Sequence, residues 1–289
     1  VKKQFLNAVL LKFIKLLPDY WKYICVLYYR NLMGYKPIII YQMGKVGSTT
    51  IYQTIKYNLK NPVFHVHFLS ATKISLIRKR YQSAGVDSNP LHIRESIFLE
   101  GFYWKDSFLK WNIITLVRDP ITAKLSHMFH NPRVHHTYLF DENGNLDKER
   151  ALQITYDRLM NFNVKTDYVC NWINDELNNF LKIDLYSCPF DKILGYGVLK
   201  SKKNNVLVMQ MESINNCFNN SLIEMGLTKN NLNIRRVNEN IEKEFSLLYK
   251  FVKDNLKLPS SKVREIYSSK YAQHFYSSEY IERQIERWS

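Results

Sequence analysis

Pro37 to Thr50 reads PIIIYQMGKVGSTT. Ile38 to Gln42 is an apolar, β-branched run of strand length. It breaks into a loop holding Gly44 and Gly47. A helical pattern follows over Ser48 to Leu59, with Ile51, Tyr52, Ile55 and Leu59 on one side. A buried strand feeding a small-residue loop and a helix N-terminus makes an anion cradle, because backbone N–H groups and the helix dipole converge there. Lys45 adds a cation, and Val46, Gly47, Ser48, Thr49 and Thr50 supply the lining. The P-loop of ATP and GTP enzymes places its lysine after the last glycine, as G-x-x-x-x-G-K-[ST]. Here lysine precedes Gly47, as K-x-G-S-T-T, and the spacing is too short for that motif.

Trp111 to Asn131, WNIITLVRDPITAKLSHMFHN, repeats the arrangement. Ile113 to Val117 is a second buried-strand run with Arg118 at its C-terminal end. Asp119 suits a helix cap and Pro120 the first turn. Ser126 falls eight residues after Arg118, about two turns into that helix. A forked, permanent charge at a strand mouth and a hydroxyl on the next helix can grip one further phosphate.

The remaining pattern alternates strands with helices. Strands are expected at Val63 to Leu69, Ile97 to Glu100 and Val206 to Met211. Helices are expected over residues 1–36, 70–82, 147–162, 168–181, 240–256 and 277–288, with an irregular region at 184–203 and a turn at Asp141 to Gly144. Such alternation predicts an α/β fold with a central parallel sheet flanked by helices, three layers in all. Ligands then sit beyond the C-terminal strand ends, where Lys45, His67, Glu100 and Arg118 would gather.

Together the two elements resemble the sulfotransferases that use 3′-phosphoadenosine 5′-phosphosulfate (PAPS). Lys45, Gly47, Ser48, Thr49 and Thr50 match that family's loop for the 5′-phosphosulfate, and Arg118 with Ser126 its 3′-phosphate pair. The C-terminal part looks like a bacterial subgroup linked to capsular polysaccharide synthesis. It shares a Trp/acid helix at Trp172 to Glu176, the run VLVMQME at Val206 to Glu212, and IYSSKYAQHFYS at Ile266 to Ser277. The resemblance implies a P-loop-like sulfotransferase fold over residues 37–289, preceded by a basic amphipathic segment at 1–36. It implies sulfuryl transfer from PAPS to a glycan hydroxyl, with no metal. His274 and Tyr276 fit the closing motif without an assigned role.

Sulfuryl transfer resembles phosphoryl transfer, so positioning and charge stabilisation dominate. Lys45 is the expected cation for the leaving phosphate. In VFHVHFL, alternation puts His65 and His67 on one strand face, and histidine suits a general base. In some polysaccharide sulfotransferases a histidine on a comparable segment is the base, and in other branches a glutamate. His67, nearer the strand end, is preferred, with His65 and Glu100 as alternatives. Arg235 and Arg236 can contact the 3′-phosphate or an acidic acceptor. Phe102, Tyr103 and Trp104 either stack the adenine or belong to the core. A competing zinc reading would use His65 and His67 with His127, His130, His135 and His136, but their spacing follows no known ligand pattern.

The 289 residues carry a net charge of +15, which points to an anionic partner, PAPS and an acidic or lipid-linked glycan included. No zinc-finger spacing or RNA-recognition signature suggests nucleic acid. Four scattered cysteines suggest reduced thiols in a cytoplasmic protein. The stripe Leu6, Val9, Leu10, Phe13, Ile14 and Leu17, with Lys12 and Lys15 outside it, either packs on the domain or lies on the inner face of a membrane. Two rival functions are a kinase with a degenerate P-loop, which needs magnesium and a carboxylate, and a non-catalytic polyanion-binding protein.

Overall fold

A computed structural model describes residues 17–83, 90–106, 108–129, 139–140, 147–235 and 243–289. The stripe over residues 6–14, the turn at Asp141 to Gly144, and Arg236, His130, His135 and His136 lie outside them. Five strands form one sheet: β1 (Ile38–Tyr41), β2 (Val63–Val66), β3 (Trp111–Val117), β4 (Tyr196–Lys200) and β5 (Asn204–Gln210). Their order is β2-β1-β3-β5-β4, parallel except for β4, which runs antiparallel to β5. Every residue of β1, β3 and β5 is buried. That is why these three read as near-continuous apolar runs, as in sheets covered on both faces. Helices flank the sheet, giving the three-layer α/β arrangement the alternation predicts.

The helices are α1 (Asp19–Leu32), α2 (Ser48–Asn58), α3 (Ala71–Ser83), α4 (Leu91–Phe102), α5 (Pro120–Met128) and α6 (Lys148–Met160). Then come α7 (Tyr168–Trp172), continued by a π-helical turn Ile173–Asn178, and α8 (Ile214–Met225). The chain closes with α9 (Lys243–Asn255), α10 (Ser260–Tyr267), α11 (Lys270–Phe275) and α12 (Ser278–Trp288). In α1, Leu27 is fully buried, Tyr23 packs on Phe64 and Phe98, and the Tyr28 hydroxyl donates to Asp106. Among the described residues no helix is long and apolar enough to cross a membrane.

Three expectations need correction. Ile97 to Glu100 is not a strand but part of the second half of α4. The four-residue run is short, whereas Ile93, Phe98, Leu99 and Phe102 are buried at helical spacing. Tertiary structure uses that helix to close the edge of β2, where the buried Glu95 carboxylate accepts the His65 backbone N–H at 2.7 Å. The region 184–203 is not wholly irregular. It holds the edge strand β4, which the glycines obscured: a Cβ on Gly197 would lie 2.3 Å from the Pro189 carbonyl oxygen. Helices α8, α10 and α11 were also not expected from the pattern.

Candidate active site

The loop after β1 carries two left-handed residues. Gly47 (φ 84°) is the N-cap of α2, and no side chain caps that helix. Its first-turn N–H groups face the loop, and among the described residues no side chain bonds them. A Cβ on Gly47 would meet Met211 Sδ at 2.5 Å, so the turn following β5 presses directly on the cradle. Lys45 (φ 66°) is left-handed without being glycine, which costs about 1–2 kcal/mol. The Arg118 guanidinium answers that strain: its Nη1 donates to the Lys45 carbonyl at 2.6 Å.

Lys45 is half-buried, with no acidic ion-pair partner among the described residues. Burial, then the Arg118 charge, pushes its ammonium below the usual lysine range. Lys253 of α9 is likewise lowered, first by burial and then by Arg287 and Arg118. Cationic side chains therefore converge around Arg118 and the cradle, where an anion would relieve their mutual repulsion. Ser126 sits half-buried on α5, beside His127, whose Cε1 would lie 3.6 Å from a Cβ on Gly44.

His67 follows β2 directly. Its Nδ1 lies 3.0 Å from the Gln42 carbonyl oxygen, which can only accept, so Nδ1 carries the proton and Nε2 the lone pair. Burial is the main cause that pushes its pKa down. The Gln42 bond opposes this, and nearby Lys45 adds to it. The ring is thus neutral and in the tautomer a base requires. His65 is different. It stacks on Tyr52 at 5.3 Å, and its Nε2 is buried with no partner among the described residues. Glu100 lies near the other end of α4. His92 at the start of this helix meets His67, whereas Phe102 at its end meets Trp111, the first residue of β3. The helix runs away from the cradle, and eight residues carry Glu100 about 12 Å beyond His92.

Phe102 and Tyr103 belong to the core at this opposite edge, where the Tyr103 hydroxyl donates to Asn204. Arg235 docks on α2 instead, through its backbone N–H to Thr54 Oγ1 at 2.9 Å and its guanidinium over Tyr57. Among the described residues, no His, Cys, Asp or Glu group is arranged to hold a metal ion.

A bracing layer that sequence reasoning missed surrounds these groups. Tyr271 OH accepts the Arg118 N–H at 2.9 Å and donates to the Arg118 carbonyl at 2.8 Å. Tyr267 OH donates to Asp119 Oδ2 at 2.5 Å, and Asp119 Oδ1 caps α5 at Thr122 N–H. Glu212 accepts from the Asp119 N–H and from Tyr276 OH, at 2.8 and 3.1 Å. Its carboxyl is pushed upward by surrounding protein and by the Asp119 charge. The residue as a whole is exposed, so water softens that push. On the other side, the Glu176 carboxylate accepts from Tyr41 OH at 2.5 Å and the Leu69 N–H at 2.9 Å, with Lys73 Nζ 3.0 Å from its second oxygen. The tyrosine spacing of the closing motif was the available signal, but it names no partners.

The imidazoles make stability acid-sensitive. Burial, then neighbouring His67, holds His92 at about 4. Burial, then His67 and His92, holds His65 at about 3. An unfolded chain takes up these protons below about 6.5, so stability is full above that pH and falls as pH drops toward 4 and 3. Glu95, raised by burial to about 7, acts oppositely between 4.5 and 7. His92→Gln should therefore gain stability over the parent as pH falls from 6.5 to 4. The limit is about 3.5 kcal/mol, at roughly 1.4 kcal/mol per pH unit, and the partial exposure of the ring keeps the gain below it. Urea titrations across that range check this, and a pH-independent gap would show that His92 titrates normally in the fold.

Residues 145–277 match the model of a family described as "Putative capsular polysaccharide synthesis protein". The match links the chain to capsular polysaccharide synthesis. It spans the bracing residues Glu176, Glu212, Tyr267, Tyr271 and Tyr276, and not Lys45, His67 or Arg118. No curated protein and no solved structure matches the chain.

Proposed function

We propose that the protein transfers a sulfuryl group from PAPS to a hydroxyl of a glycan in a capsular or surface polysaccharide. One observation carries this reading. A cradle at a helix N-terminus, a lysine with no acidic partner among the described residues and a neutral, tautomer-set histidine meet at one strand edge. The donor supplies an activated sulfuryl group on a phosphate leaving group.

In this reading Lys45 and the first N–H groups of α2 hold the 5′ end and meet the charge that builds on the leaving phosphate oxygen. Val46, Gly47, Ser48, Thr49 and Thr50 shape the cradle. Arg118 and Ser126 grip the 3′-phosphate, with the field of Lys253 nearby. His67 Nε2 takes the acceptor hydroxyl proton as the new S–O bond forms and the bond to the leaving oxygen breaks. No step calls for a metal. The kinase alternative needs a carboxylate for magnesium at this edge, yet Asp119 is engaged by Thr122 and Tyr267, and Glu212 by the Asp119 N–H and Tyr276. The chemistry belongs to residues 37–289. Residues 1–36 keep two readings: α1 packs on the domain through Leu27 and Tyr23, and its Tyr20 and Trp21, exposed at 45% and 57%, offer a contact with the inner membrane face.

Calorimetric titration with 3′-phosphoadenosine 5′-phosphate, ADP and ATP, each with and without magnesium, tests the donor assignment. Selective, metal-independent binding of the 3′-phosphorylated nucleotide is expected. Equal binding of all three, or none, would overturn it in favour of the kinase or polyanion-binding alternatives.

A further inference from the structure

We infer that the acceptor is an anionic polysaccharide, laid along a row of half-buried rings that passes His67 and flanked by the basic outer face of α3. This rests on the transferase reading; of the acidic and lipid-linked acceptors that the net charge allows it selects the acidic polymer, and it adds the path that polymer takes.

The row is continuous. Tyr81 lies 6.4 Å from His92 by ring centroids, and His92 lies 5.5 Å from His67. His67 is 6.4 Å from Phe68, Phe68 is 6.4 Å from Tyr168, and Tyr168 is 5.6 Å from His127. All six are half-buried, neither sealed in the core nor fully in water. One end lies in the last turn of α3. The other reaches His127, against Gly44 of the cradle. The candidate base thus stands within the row, on the way to the sulfuryl donor.

Aromatic faces offer apolar area with polar edges, which suits the C–H face and the hydroxyls of a pyranose ring. A row of such rings fits a polymer better than a single small molecule. The charge on α3 is one-sided, while Asp175, its side chain 48% exposed, sets one carboxylate against Lys73 at the inner end of that helix. Helix α3 carries Lys73, Arg78, Lys79 and Arg80 and no Asp or Glu. Lys73 is drawn inward by Asp175 and Glu176, at 3.3 and 3.0 Å, while Arg78, Lys79 and Arg80 are exposed. Carboxylates spaced along a glycan would find these cations while its rings rest on the aromatic row. The alternative account is that the rings only pack α3 and α4 against the sheet edge.

The test needs no donor. Affinity of the full chain is measured for hyaluronan and polygalacturonate fragments, a neutral dextran fragment of equal length, and single-stranded DNA of equal charge, at two salt concentrations. At least one acidic glycan should bind tenfold or more tighter than dextran and DNA. Arg78→Gln with Lys79→Gln and Arg80→Gln, all on the surface, should weaken that binding about tenfold and flatten its salt dependence. Phe68→Ala should weaken it at both salt concentrations, and Phe68→Tyr should restore it. Binding of 3′-phosphoadenosine 5′-phosphate should be unchanged in each variant, which separates this inference from the donor assignment. DNA binding as tight as the best glycan, or unaltered glycan affinity in the triple variant, would overturn it.

Discussion

Lys45→Ala should lower sulfuryl transfer by about a thousandfold or more, the scale lost when one charge-stabilising group leaves a transfer site. The physical basis is the setting of the ammonium. It is half-buried, meets no acid among the described residues, and is repelled by Arg118. Its charge is poorly compensated until an anion arrives, and is best compensated when negative charge peaks on the leaving oxygen. Alanine removes the charge but keeps a non-glycine residue at φ 66°, so the backbone cost stays while the chemistry goes. Arg118→Ala should behave differently. Its Nη1 bond to the Lys45 carbonyl holds the strained turn, so its loss weakens nucleotide binding and loosens the cradle together. Single-turnover transfer from a radiolabelled donor, beside calorimetry of the nucleotide, separates the two. Full turnover in Lys45→Ala would sink the mechanism.

Glu176→Ala should cost about 3–5 kcal/mol of stability, the range for breaking a buried charged cluster by removing one member. Glu176 is fully buried. Its Oε2 receives the Tyr41 hydroxyl and the Leu69 N–H, and its Oε1 faces Lys73 as an ion pair rather than a well-angled hydrogen bond. Alanine would strand both donors in a dry interior. Lys73 keeps a 31% exposed side chain and can return to water, so it adds less. Glu176→Gln keeps an acceptor for Tyr41 and Leu69 and should lose well under half as much. Urea unfolding of the two variants checks the order. Equal losses would mean that the Lys73 charge, not the two hydrogen bonds, carries the effect. Because Tyr41 and Leu69 flank the loops bearing Lys45 and His67, the alanine variant should also displace the candidate base, His67.

Much of the fold was legible because it is local. Ile38–Tyr41 and Trp111–Val117 are central strands, and their apolar runs say so without a partner in view. The Asp119 cap, with Pro120 behind it, is a signal written within four residues. Reading failed where the environment outweighed the pattern. Ile97 to Glu100 has strand-like composition, but a sheet edge needed a helix and a buried acceptor for the His65 N–H. The strand Tyr196–Lys200 carries a glycine whose missing Cβ makes room for the Pro189 backbone, so it lacks the alternation that marks a strand.

By itself the sequence determined the strand–loop–helix cradle, the second strand mouth at Arg118 and the histidine pair at the end of β2, His65 within it and His67 just after. Each depends on residues a few positions apart, whose backbone preferences and spacing act before any tertiary contact forms. Only the tertiary structure decided which groups meet. Arg118 reaches the Lys45 carbonyl across 73 positions and Tyr271 across 153, and Tyr41 reaches Glu176 across 135. Such pairings come from packing helices onto the sheet, where buried donors must find acceptors wherever the chain brings them. That requirement also set the His67 tautomer, through the Gln42 carbonyl, and placed Glu100 far from the edge where its sequence position had suggested it.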